Sequence, residues 1–106
     1  MPKYLVEARY TAEGAKGIAR EGGSGRRAAV EKAVGSLGGK LESLYFAFGD
    51  ADAFVILDLP DNVSAAATSL AANQTGLIAS KMIVLLTPEE MDAAAKKTVD
   101  FRGPGR

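Results

Sequence analysis

The stretch Tyr45 to Asp61, Y-F-A-F-G-D-A-D-A-F-V-I-L-D-L-P-D, decides the fold of this chain. Two runs rich in aromatic and aliphatic residues flank Gly49-Asp50-Ala51-Asp52, the pattern of two strands and a turn. A linker that short joins strands only as an antiparallel hairpin. The strands are read as Lys40 to Phe48 and Ala53 to Leu59. An even number of turn residues, two or four, aligns Leu44, Phe46 and Phe48 with Ala53, Val55 and Leu57 on one apolar face. A three-residue turn would place glycine third, where Ala51 stands. The opposite face then carries Ser43, Tyr45, Ala47, Phe54, Ile56 and Asp58.

Toward the N-terminus, Tyr4, Val6, Ala8 and Tyr10 alternate with Leu5, Glu7 and Arg9, the period of a half-buried strand over Lys3 to Tyr10. Thr11 offers an N-cap hydroxyl, with Gly14 where a capping box would place Glu or Gln. Ala15, Ile18 and Ala19 continue a helical face until Gly22-Gly23-Ser24-Gly25 interrupts it. The helix resumes at Arg26, with Val30, Ala33, Val34 and Leu37 as its apolar stripe. Gly38-Gly39 ends it.

Toward the C-terminus, Pro60 closes the third strand, and Asp61 or Asn62 caps a short alanine-rich helix through about Ala72. A fourth strand follows at Leu77 to Leu86. Thr87-Pro88-Glu89-Glu90 starts a short last helix running to about Lys97, with hydroxyl cap, proline and glutamate in capping-box order. Residues 1–98 read as one domain, and 99–106 as a flexible tail. Strand, helix, strand, strand, helix, strand, plus the short last helix, is the order of an α+β ferredoxin-like domain: βαββαβ, an antiparallel sheet with both helices on one face. The helices would hide Val6, Phe46, Val55 and Val84. Leu5, Tyr45, Phe54, Ile56 and Ile83 would lie open on the other face, and an apolar patch of that kind predicts a homodimer with sheets face to face.

Composition removes whole classes of chemistry. Thirteen basic and thirteen acidic residues cancel, so no summed field recruits nucleic acid or an anionic membrane. Without cysteine or histidine there are no disulfides, thiol nucleophiles, Ser-His-Asp triads or histidine-ligated metals, and no cofactor is expected. The N-terminus M-P-K-Y has no apolar leader and no run reaches membrane-spanning length, so the expected compartment is the cytoplasm.

Three places suit chemistry. Strand parity puts Glu7, Arg9, Tyr45, Asp58 and Lys81 on one face, with Glu7, Arg9 and Asp58 expected as neighbours; such a set serves as acid, base and anion clamp, or as a self-neutralising layer of ion pairs. Two carboxylates without histidine make no metal site. Gly23, Ser24, Gly25, Arg26 and Arg27 place free backbone N–H groups and two guanidinium groups at a helix start, an anion site or a plain helix break. Asp50 and Asp52 could hold a cation or take a proton, although aspartate and glycine are also what turns are made of.

L-G-G-K-L-E-S-L-Y-F-A-F-G-D-A-D, then L-P-D and L-L-T-P-E-E-M, together with T-A-E-G and E-G-G-S-G-R-R, resemble the GYD-domain family of small bacterial proteins in the dimeric α/β-barrel superfamily. In the naming motif Gly49 and Asp52 match, while Ala51 stands where tyrosine is expected. The resemblance covers nearly the whole chain and implies a ferredoxin-like fold and a dimer, and it carries over no catalytic residues. Other dimeric barrels include monooxygenases, isomerases and haem enzymes, an analogy of fold alone. Two functions follow as expectations. One is a homodimeric module holding a small, partly apolar ligand between facing sheets. The other is a cofactor-independent oxygenase or isomerase on a small aromatic or keto substrate, with Tyr45 as proton donor, Arg9 as clamp and Glu7 or Asp58 as base.

Overall fold

The alternation at the N-terminus produces β1 (Lys3–Tyr10), with Tyr4, Val6, Ala8 and Tyr10 on one face and Lys3, Leu5, Glu7 and Arg9 on the other. The computed structural model describes residues 1–106, and the other elements are α1 (Ala12–Gly35), β2 (Lys40–Phe46), β3 (Ala53–Asp58), α2 (Asn62–Asn73), β4 (Ile78–Leu85) and α3 (Pro88–Ala95). The sheet order is β2-β3-β1-β4 with every neighbour antiparallel, which is the ferredoxin-like arrangement.

The hairpin register pairs Phe46 with Ala53 and Leu44 with Val55, so the two apolar runs do share a face. The Ala47 N–H donates to the Asp52 carbonyl at 2.8 Å, closing the even, four-residue loop Phe48 to Ala51. Phe48 is therefore not a strand residue: it stands at the loop tip, fully exposed. A bulge between Leu41 and Ser43 adds a second adjustment, turning both Leu41 and Leu44 toward the core.

Local signals fix the helix starts. Thr11 Oγ1 accepts from the Gly14 N–H at 3.2 Å, Asp61 Oδ1 from the Ser64 N–H at 2.8 Å, and Thr87 and Glu90 cap each other's backbone reciprocally. Glycine holds the third position of α1 because a Cβ there would run into the Leu77 carbonyl, the same oxygen that accepts the Thr11 N–H at 3.0 Å. The glycine run breaks α1 at Gly22, whose φ of 77° lies in the left-handed region.

The core joins Tyr4, Val55 and Leu57 of the sheet to Val34, Leu59 and Ala65, and the Tyr4 hydroxyl donates to Asn62 Oδ1 at 2.7 Å. It is small: nine of the 106 residues are buried. The reason is where the helices rest, since α1 lies mainly over β2 and α2 over β4. Phe46 and Val84, expected under the helices, belong to that face but remain 42% and 52% exposed at its edges. No residue of α3 is buried, and the radius of gyration is 16.7 Å where a compact chain of this length gives about 13 Å. The C-terminal segment projects as an arm. No helix is long and apolar enough to cross a membrane.

Gly14→Ala is expected to destabilise by about 1–3 kcal/mol in urea denaturation, as overpacking against fixed backbone does. Gly17→Ala, with nothing near its added methyl, is expected to stabilise by about 0.5–1 kcal/mol. The Ser64 backbone N–H holds the Asp61 carboxyl below its ordinary range. Its cap is thus fully effective above the unfolded carboxylate value and lost as pH falls through the lower folded value. Asp61→Asn, which caps without charge, is expected to flatten that part of the acid limb in pH-dependent denaturation.

Candidate functional site

The registers of β2, β3, β1 and β4 place Tyr45, Phe54, Glu7 and Lys81 in one row across the open face. Arg9 stands opposite Ala79, one step along the same face, and on the other side of the row lie Ser43, Ile56, Leu5 and Ile83. Glu7, Arg9 and Lys81 form no ion pair within the chain, and Tyr45 is 73% exposed. The self-neutralising layer that strand parity allowed is absent from this row.

Asp58 is the exception to the expected grouping. It lies opposite Lys3, about 13 Å along the strand from Glu7, because four residue steps of β-strand separate them. Lys3 Nζ donates to Asp58 Oδ1 at 2.8 Å and also to Glu42, and these two carboxylates, Asp58 first, raise the lysine above its ordinary value. Asp58 thus belongs to a separate ion-pair cluster at the far end of the face.

The turn carboxylates also divide. Asp52 Oδ2 accepts the Tyr10 N–H at 2.9 Å while its own N–H donates to the Ala8 carbonyl at 2.8 Å, so Asp52 pins the hairpin loop to the end of β1. Asp50 stays exposed. Nowhere do three carboxylates, histidines or cysteines converge in a way that would hold a metal.

At the α1 break, the residues proposed for an anion do not act together. A Cβ on Gly23 would sit 3.1 Å from the Phe46 ring, so that side of the turn is covered. Ser24 and Arg27 are exposed and Gly25 half-buried, whereas Arg26 turns inward with its Nε buried and 3.4 Å from Glu21 Oε1. The two adjacent guanidinium groups point to different environments.

Where Arg26 goes is the feature that sequence reading missed. Between α1, α2 and the helical face of the sheet lies a half-open cleft of about 520 Å³, within the range of ligand pockets. Val6, Val55 and Leu57 form part of its floor, Val30 and Val34 one wall, and Ala67, Ala71 and Ala72 the other. Alanines leave the second wall thin, and that alanine-rich composition was the one sequence signal for a gap. Tyr10 and Arg26 both line the cleft. Burial raises the Tyr10 phenol above its ordinary value, with the nearby Arg26 charge opposing the shift.

The fold and the open face define a ferredoxin-like α+β domain with one uncovered sheet surface. The chain belongs to the GYD-domain family, whose model matches residues 4–95, from β1 to the end of α3. No curated protein matches the chain.

In a spectrophotometric titration, the phenol lost in Tyr10→Phe is expected to be one that ionises above pH 10. Because folding raises this group, its linkage favours the native state below the unfolded value and disfavours it as pH rises through the folded one. Tyr10→Phe is expected to weaken that alkaline loss of stability.

Proposed function

We propose that the chain is a homodimeric binding module: two copies meet through the open faces of their sheets and hold a small, partly apolar ligand beside the row of Tyr45, Phe54, Glu7 and Lys81. The observation that carries this reading is the composition of that face. Leu5, Ile56 and Ile83 form an apolar band, and Glu7, Arg9 and Lys81 beside it carry both signs of charge without partners. An isologous interface makes each patch meet its own copy, so a surface bearing both signs can complement itself.

Size argues for the arm as well. Four strands about 4.8 Å apart and some 25 Å long offer on the order of 500 Å² of plane, short of the roughly 800 Å² per partner of a standard interface. Leu86, Met91, Val99 and Phe101 on the projecting segment are all more than half exposed, and clasping a second copy would supply the difference.

The catalytic alternative, a cofactor-independent oxygenase or isomerase, draws on the same free side chains. Tyr45 and Glu7 stand two strands apart, about 10 Å, whereas a proton donor and a base serving one substrate atom must both reach it within hydrogen-bond distance. Binding is therefore the better-supported function.

Light scattering at micromolar concentration is expected to give twice the 11.0 kDa chain mass. Ile56→Lys is expected to weaken association at least 100-fold while leaving the circular dichroism spectrum folded. A monomeric parent protein at that concentration would remove the proposal.

A further inference from the structure

The cleft on the helical side of the sheet lies opposite the proposed interface, so its occupancy is independent of dimerisation. Its floor and walls are mainly aliphatic, and most of its hydroxyls are already engaged by the chain. Thr68 donates to the Ser64 carbonyl at 2.9 Å, Ser80 to Asn73 Oδ1 at 2.9 Å, and Thr75 to the Ala72 carbonyl at 2.8 Å. Arg26 and Tyr10 differ. The guanidinium makes no hydrogen bond, its Nε being buried and only near Glu21 at 3.4 Å, and the Tyr10 hydroxyl likewise has no acceptor while its backbone N–H goes to Asp52.

We infer that this cleft binds an amphipathic monocarboxylate, a saturated alkyl chain bearing one carboxylate, with the chain among Val6, Val30, Val55 and Met82 and the head on Arg26 and Tyr10. The site offers a single cationic head, already shared with Glu21, and so suits one carboxylate and no more. Arg26 is the cation lining the cleft, and its planar fork carries five donors, of which Glu21 faces only the Nε side. A carboxylate on the remaining N–H groups, with the phenol as a further donor, takes up donors that the chain itself leaves free, beside an Nε that is buried without a hydrogen bond. Asp52 and Glu21 lie close enough to influence Tyr10, which disfavours a second negative charge such as a phosphate dianion would bring. An alkyl chain suits the rest, because no other lining side chain presents an unpaired charge.

The probe is dodecanoate below its micellar concentration, added to the full-length protein and followed by isothermal titration calorimetry. Saturable one-to-one binding per chain is expected, with affinity rising about threefold to fourfold per methylene from hexanoate to decanoate. 1-Dodecanol, which keeps the chain and lacks the charge, is expected to bind at least tenfold more weakly. Arg26→Met is expected to abolish that difference by weakening dodecanoate to the affinity of the alcohol. Should that variant not fold, methyl NMR of labelled methionine in the parent protein gives the location: Met82 is expected to shift and Met91, on the arm, to stay. Absence of saturable binding, equal affinity for acid and alcohol, or a shift at Met91 in place of Met82 would each overturn the inference. So would binding abolished by Ile56→Lys with Met82 unmoved, which would place the ligand between the sheets.

Discussion

The two-sided pairing of β1 is the constraint on which the rest of the molecule depends. One edge is bonded to β3 over Lys3 to Ala8 and the other to β4 over Lys3 to Tyr10. The N-terminal eight-residue strand thereby fixes the register of segments from the middle and the end of the chain. Tyr4 shows how pairing becomes packing: it is 1% exposed, central in the core, and its hydroxyl ties the start of α2 to the sheet. Asp52 does the same at the other end of β1, since both its carboxylate and its backbone anchor the hairpin loop there.

A sheet so constrained leaves the helices to decide what is covered. With α1 mainly over β2 and α2 over β4, the central strands are roofed only in part, and the alanines of α2 do not bridge the space. A native interior normally packs to the density of an organic crystal, so a 520 Å³ opening at the core marks a departure from that rule. The opposite face is uncovered because α1 and α2 both lie on the other side of the sheet and α3 buries none of its residues. The domain therefore has two incompletely satisfied surfaces, one flat and bearing both charges, the other concave and mostly apolar.

In the turn after Gly49, Asp52 is occupied in holding the loop to the end of β1. Arg26 shows why neighbours in sequence mislead about sites: consecutive helical residues differ by about 100° around the axis, so Arg26 enters the cleft while Arg27 meets solvent.

The sequence by itself determined the strand and helix order, the faces of each strand, the three capped helix starts and the break in α1. All of these rest on local chemistry: a period of two, a capping side chain, or a glycine at positive φ. Tertiary structure decided what is next to what along and across the sheet. Parity told which face Asp58 shares with Glu7 but not how far apart they stand, because that distance is set by long-range register between β1 and β3. The cleft was likewise beyond reach, since it arises from the spacing of two helices on different edge strands, which no run of adjacent residues encodes.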